Sequence, residues 1–578
     1  MKARLEAAAE ALLLFAVLVA PWPYGGAADP ARYGLAALVL FAVALFALGR
    51  ALAGEGLPSL ALPAAALPAL GLAQVALGAS VAPAWTAEAG LVLAAMTSAL
   101  VFWSERARDR AAAVRLAAAV LLACAAQAVF GAVQWSLAPD RIYGQATPIV
   151  TTPFGSYVNH NHFAGLVEMG IVLAAPMALG LARLRGGATP GVVGLAGLAL
   201  GLAAVHVASR SRGGLIALAA GLLLAGGLWA RAASHRGGHR LRAVPLAVGV
   251  LVVLAFGLAV VPDDTRAHLA TIFRGRPDAS GDYRLDVARD TLRLWAAHPV
   301  LGAGLGAFAD AFPPVKRAHG DVRTTHAEDD ALEFAAESGL AGLALAAWLA
   351  FLVVRGVALR LRHGRDPFRK AIAVGAAGAA AALAVHSLFD FNLRLPANAL
   401  VFASLLGLAA SPREGDGRVG ARVVPALAAA VLVALGAAAA WRAAGAVALD
   451  RARRDRDPQV LVAALDPVLR RHPYLAEAYR ARALAWRELA VGRLGFAGAR
   501  LERAERDLDA ALRLRPSWGE AWADLGWTRW MRGDLPGARA AMERALTLDP
   551  THPHIARSHA QLLARLEPVP SVTSATVK

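Results

Sequence analysis

Charge is scarce in most of this chain. Only 17% of its 578 residues are Asp, Glu, Lys or Arg, against about 25% in a soluble domain. Most of those charges sit in a few loops and in roughly the last 130 residues. Cysteine is nearly absent: Cys124 is the one thiol, so an intrachain disulfide and a cysteine-based metal site are both excluded. The start, 1–22, is basic and then apolar like a signal peptide. No small-residue cleavage site follows it before a soluble domain, and further apolar runs come after, so it reads as an uncleaved first helix.

What is present is apolar: 57% of the residues are hydrophobic. Several runs approach or reach the ~20 apolar residues that a ~30 Å bilayer core requires of a helix. The net charge of +17 would suit a nucleic-acid binder, but membrane proteins gather Lys and Arg in cytoplasmic loops. That accounts for it, and no nucleic-acid partner is expected. Spans are predicted at 8–21, 33–49, 60–77, 88–103, 112–136, 162–182, 190–208, 213–230, 243–261, 339–356, 371–388, 397–411 and 423–441. The third is interrupted by Pro63 and Pro68. An inside N-terminus puts the Arg-rich loops near 106–110, 183–185, 231–242, 355–370 and 413–422 inside, and leaves the alternate short loops nearly free of Lys and Arg. It also leaves one long outside loop at 262–338 and sends everything after 442 outside.

The tail differs in kind. Pro516 and Pro550 bracket a segment carrying Trp522, Leu525, Gly526, Trp527, Gly533, Ala538, Ala541 and Ala545. The pattern looks like a tetratricopeptide repeat of two helices. Residues 474–516 form a longer copy, in which Ala476-Glu477-Ala478-Tyr479 echoes Gly519-Glu520-Ala521-Trp522. The predicted fold is therefore all-α. A polytopic membrane bundle of about 12–13 spans over 1–441 precedes a helical-repeat domain over 442–567, with a disordered tail at 568–578. Such repeats build concave surfaces, so a protein partner is expected there.

Chemistry is sought where polar groups are expensive. Ser209-Arg210-Ser211-Arg212 forms a very short outside turn; two arginines there favour anion binding over interfacial snorkelling. The stretch Thr151-Thr152-Pro153-Phe154-Gly155-Ser156-Tyr157-Val158-Asn159-His160-Asn161-His162 leads into the sixth span. Its two histidines, two apart, do not share a helical face, and hydrogen bonding to a sugar or phosphate fits better than a metal. Glu168, inside that span, is a further candidate. In the long loop, Asp282-Tyr283-Arg284 opens an amphipathic stretch with Leu285, Ala288, Leu292 and Trp295 on one face, ending at His298-Pro299. Gly302, Gly304 and Gly306 follow. Without a preceding strand or a Lys-Ser/Thr they are not a nucleotide loop. His326, Glu328, Asp329 and Asp330 precede a span. The macrodipole favours acids at such a start but does not explain the histidine. His386 and Asp390, four apart, could share a face.

Taken together, these pieces resemble the O-antigen ligase and polymerase-like membrane family over about 150–410. The matching features are the asparagine-bearing entrance, the Ser211-Arg212-Gly213-Gly214 turn, and the loop from Arg284 to Phe308 with His298-Pro299 and its glycines. The His326-Ala327-x-x-Asp330 segment followed by Glu337-x-Gly339 completes the set. Where many members carry a second histidine this chain has Glu328, and where they carry Asn-Asp-Tyr it has Asp329-Asp330-Ala331. The resemblance implies a GT-C-like glycosyltransferase needing no metal or other cofactor. It would act at the periplasmic face of a bacterial inner membrane, with a periplasmic repeat domain. An undecaprenyl-diphosphate-linked glycan would be the donor; lipid A core, a growing glycan or a protein hydroxyl would be the acceptor.

Transfer from a diphosphate needs cations where charge develops on the leaving oxygens, and arginine's fork suits phosphate. The expected roles are Arg212 and Arg284 on the diphosphate and His326 or Glu328 as base. Arg210, Asn159, Asn161, His162 and Arg289 would bind substrate. A polysaccharide polymerase or a protein O-oligosaccharyltransferase shares that chemistry. The alternative of another class is a non-enzymatic membrane transporter or scaffold whose repeat tail docks an assembly; a transporter should show internal symmetry and broken helices at midplane, which the sequence does not display.

Overall fold

The computed structural model of the chain describes residues 1–147, 153–234, 279–320, 322–363, 366–410, 417–491 and 497–566. Twenty α-helices occur among the described residues. They are α1 (Lys2–Val19), α2 (Asp29–Leu52), α3 (Ala61–Ala76), α4 (Pro83–Arg106), α5 (Arg110–Leu137), α6 (His160–Arg185), α7 (Pro190–Ala208) and α8 (Arg212–Ser234), then α9 (Ala279–Ala297) and the short α10 (Phe308–Ala311). After these come α11 (Asp330–His363), α12 (Pro367–His386), α13 (Pro396–Ala410) and α14 (Val423–Ala452). Among the described residues, nine helices are long and apolar enough to cross a membrane, and α3 and α13 are shorter apolar helices. Helices stand at twelve of the predicted spans. The span at 243–261 lies outside the described residues, as do Thr151, Thr152, the loop at 262–278 and the tail at 568–578. Pro68 stands inside α3 without ending it, as membrane helices tolerate. Trp348, Phe351 and Val354 of α11 and Leu427 and Val431 of α14 are exposed, as side chains facing lipid are.

The loops sort to the two ends of the bundle in the order the charge pattern requires. At one end Lys2 meets Glu55. Glu105 takes Arg50 at 3.1 Å, Arg108 at 2.9 Å and Arg418 at 3.0 Å. Arg369 donates to the Arg108 carbonyl there at 2.7 Å. The opposite end holds the Ser209–Arg212 turn, the α12–α13 turn and the segment after α9. α6 is buried along most of its length and packs against α7, α8 and α12, which places its first residues at that second end.

Two expectations about the long loop change. On α9 the buried positions are Val287, Asp290, Thr291 and Leu294, while Leu285 and Leu292 are about half exposed. The leucine face is not the packed one, because Val287 and Leu294 join a small core with Ala303, Phe308 and Phe312. The glycines after α9 serve α11. Gly339 breaks α11 at φ 60, ψ −162, a region that side chains forbid. The freed backbone groups are taken by the preceding segment: Ala303 donates to the Ala336 carbonyl at 2.9 Å and Gly304 to that of Glu337 at 3.0 Å. Leu340 donates back to Pro299 at 2.9 Å. A Cβ on Gly302 would collide with the Glu337 backbone.

The C-terminal helices are α15 (Pro458–Arg471), α16 (Ala476–Val491), α17 (Ala497–Leu514), α18 (Gly519–Arg532), α19 (Leu535–Leu548) and α20 (Pro553–Leu566). Each packs on its neighbour in sequence, with small cores around Leu508, Leu525 and Met542. α14 runs unbroken from 423 to 452 into this domain. Arg515 fastens the domain to the loop of the membrane bundle. It donates to both carboxylate oxygens of Asp310, at 2.7 and 3.2 Å, and to Glu477 at 2.7 Å, with its guanidinium over the Trp85 and Trp518 rings.

Candidate active site

At the second end of the bundle, α6, α7 and α12 bring three ionisable side chains out of solvent. Glu168 on α6 and His206 on α7 are fully buried and His386 on α12 nearly so. His386 Nδ1 lies 3.1 and 3.2 Å from the two Glu168 oxygens, and His206 Nε2 lies 3.5 Å from one of them. A carboxylate is tolerable at such a depth only with partners of this kind. His206 did not stand out in the sequence; a histidine one turn from the end of an apolar run was its only signal.

Above this triad the α12–α13 turn carries Asp390, which pairs with His162 on α6 rather than with His386. His162 Nε2 is 3.0 Å from Asp390 Oδ1. Phe391 contacts two imidazoles: the His162 ring meets it edge-on with centroids 4.6 Å apart, and the His326 ring stacks on it with centroids 4.4 Å apart. His326 Nδ1 is 3.0 Å from Glu333 Oε1, and the other Glu333 oxygen accepts the Ala327 N–H at 2.7 Å. This fixes the ring with Nδ1–H as donor and leaves Nε2 as an acceptor.

Arg284 on α9 reaches into the same region. Its Nε lies 3.5 Å from Glu328 Oε2. Burial, with the charge of Asp390, raises the Glu328 carboxyl above its ordinary value, although Arg284, His162 and His326 pull against it. For Asp390 burial is outweighed by His162, His386 and Arg284, and its carboxyl is held well below the usual range. Arg284 therefore acts on both carboxylates. Glu328 itself sits at φ 57, a left-handed conformation that side chains rarely adopt and that gathers at functional sites.

The remaining predicted positions divide. Arg210 and Arg212 flank the turn before α8, with Arg210 at φ 63. Ser211 Oγ accepts the Gly214 N–H at 3.1 Å and starts the helix. Gly213, beside Arg212, lies against His386: a Cβ there would be 3.4 Å from the ring. The backbone beside Arg212 thus lies next to the buried triad, with Arg210 two residues earlier in the chain. Asn159 caps α6, its side-chain oxygen accepting the Asn161 N–H at 2.9 Å, so both asparagines shape the helix start. Arg289 is not brought to the cluster. It pairs with Asp286 at 3.3 Å on an exposed face of α9.

Arg394, one turn after Asp390, was not anticipated. It donates to Glu337 at 2.7 Å and lies 3.1 Å from Glu333 and 3.9 Å from Asp330. Its signal was there to read: it is a cation in a short loop that the charge pattern assigns to the outside, where such residues are otherwise scarce. Three carboxylates around one guanidinium tie α11 to the α12–α13 turn and so hold His326.

Fold and site define a multi-pass, all-helical membrane protein with a cluster of arginines, histidines and carboxylates gathered at one end of its bundle. Residues 196–347 match the Wzy_C family model, O-Antigen ligase, so the bundle carries an O-antigen ligase domain. A domain of this kind is associated with ligase or glycosyltransferase-type activity, and the match covers 196–347 of the 578 residues. No curated protein matches the chain. The matched stretch contains Arg210, Arg212, Arg284, Arg289, His326 and Glu328, while His162 and His386 come from flanking helices and Asp390 and Arg394 from the α12–α13 turn.

Proposed function

We propose that this protein transfers a glycan from a polyprenyl-diphosphate carrier to an acceptor hydroxyl at the extracytoplasmic face of the bacterial inner membrane, as an O-antigen ligase does with lipid A core. The observation that carries this reading is the convergence of Arg284, His326 and Glu328 on the His162–Asp390 turn, with the backbone beside Arg212 next to the buried triad. Arg284 and Arg212 bind the diphosphate oxygens, with Arg210 and the start of α8 beside them. The acceptor oxygen attacks the anomeric carbon as its bond to the diphosphate breaks. The electron pair leaves on the polyprenyl diphosphate, stabilised by the guanidinium groups. The hydroxyl proton passes to His326 Nε2, whose opposite nitrogen is oriented by Glu333. Glu328 holds Arg284 in place until the donor's phosphates compete for it.

A polymerase or a protein O-oligosaccharyltransferase would use the same groups, and only the product separates them. Deletion of the gene should cause lipid-linked glycan to accumulate and glycan on lipid A core to disappear, with both reversed by the wild-type gene and not by Arg284→Ala. Unchanged surface glycan in the deletion strain contradicts the proposal.

A further inference from the structure

A second cavity, of about 330 Å³, lies between the long loop and the C-terminal domain. Its walls come from described residues of 312–320 and 322–324 on one side and of 549–557 on the other. That volume is within the ~300–1,000 Å³ usual for small-molecule sites. The lining is cationic: Lys316, Arg323 and Arg557 contribute three positive charges and Asp549 one negative, while His552 and His554 add hydrogen-bond donors.

The contacts explain why this charge faces the cavity. Arg557 is steadied by neutral acceptors, the Pro553 carbonyl at 3.2 Å and His554 Nδ1 at 3.0 Å, which orient its fork without cancelling its charge. His554 accepts at Nδ1, so its Nε2 carries the proton. His552 Nδ1 accepts the His554 N–H at 3.2 Å, so its Nε2 is likewise a donor. Lys316 is buried and donates to the Val322 carbonyl. Arg323 lies 3.5 Å from Glu520, whose same oxygen stands 3.9 Å from His552 Nε2, so these two residues share one carboxylate beside the cavity.

The cavity adjoins the chain segment that leads to the proposed base. Thr324 lines it, and its hydroxyl is 3.0 Å from that of Tyr283. Tyr283 precedes Arg284, and Thr324 stands two residues before His326.

We propose that this cavity is a subsite for an anionic saccharide, a sugar bearing a phosphate or carboxylate, belonging to the acceptor. Its role as an acceptor subsite rests on the transfer reaction proposed above; its binding does not. Guanidinium and ammonium groups recognise the anion, and the histidines and Thr324 supply the partners that sugar hydroxyls need.

The test is binding to the full-length protein in detergent, by calorimetry, of glucose 1-phosphate, glucuronate, glucose and inorganic phosphate. Both anionic sugars should bind, and glucose and inorganic phosphate at least tenfold more weakly. Arg557→Ala should weaken the anionic sugars at least tenfold and Arg557→Lys less so. Arg539→Ala, at an exposed position away from the cavity, should bind as wild type does. Arg557 is exposed enough for its replacement to leave folding intact, and unchanged melting temperature would verify this. Inorganic phosphate binding as tightly as the sugars, or anionic-sugar binding indifferent to Arg557→Ala, overturns the inference. Arg557-dependent sugar binding in a protein that transfers no glycan would sustain the subsite and sink the transfer reaction instead.

Discussion

Arg284 and Glu328 face each other at 3.5 Å in a site where neither is well solvated, and each limits what the other can do. Replacing Arg284 by Ala removes a cation from the developing charge of the leaving group and should lower the transfer rate by about 10²–10³-fold, with melting temperature little changed, as a radiolabelled transfer assay would record. Replacing Glu333 by Gln leaves His326 its place but takes away the anion that orients it. The rate should fall while donor binding persists. The raised carboxyl of Glu328 also makes a statement about stability. An acid whose pKa is higher folded than unfolded contributes stability below its unfolded value, ~4.3, and that contribution is lost as pH rises through the folded value. Glu328→Gln should therefore flatten the decline of melting temperature over that window, and an equal decline in both proteins would contradict the assignment.

Among the elements, the membrane helices were legible because a 20-residue apolar run has few alternatives, and alternating arginines fixed which loops share an end. The α9 face was misread for a physical reason. Leucines at helical spacing mark an apolar stripe but not what covers it, and here Val287 and Leu294 meet the Phe308–Phe312 core while Leu285 and Leu292 remain exposed. Of the site, the arginines and His326 were visible as charges in costly places. The pairings His162–Asp390 and Glu168–His386 were not, since they join residues more than two hundred positions apart and nothing local announces them. The glycine run was seen, but its use was not: it closes the break at Gly339. Gly339→Ala forces a side chain into φ 60, ψ −162. It should cost about 1–3 kcal/mol, visible as a lower melting temperature with reduced transfer.

Across the whole molecule, the most buried ion pair between the C-terminal domain and the loop of the bundle is Arg515–Asp310, with both side chains 5% exposed. Removing the acid leaves Arg515 with Glu477 alone, at a cost of about 1.5–3 kcal/mol for the lost charged hydrogen bonds. Asp310→Ala should loosen the domain, exposing the segment between α14 and α15 to limited proteolysis while the bundle stays intact. The cavity is walled partly by that domain, so a loosened domain should also bind anionic sugars more weakly. The central claim is that guanidinium groups at the mouth of the bundle carry a diphosphate through glycosyl transfer. Its most direct measurement is release of polyprenyl diphosphate from a synthetic lipid-linked glycan by purified protein, compared among wild type, Arg212→Ala and Arg284→Ala. Release coupled to glycan transfer in wild type and falling at least a hundredfold in both variants is the predicted result; equal release by all three proteins would contradict it.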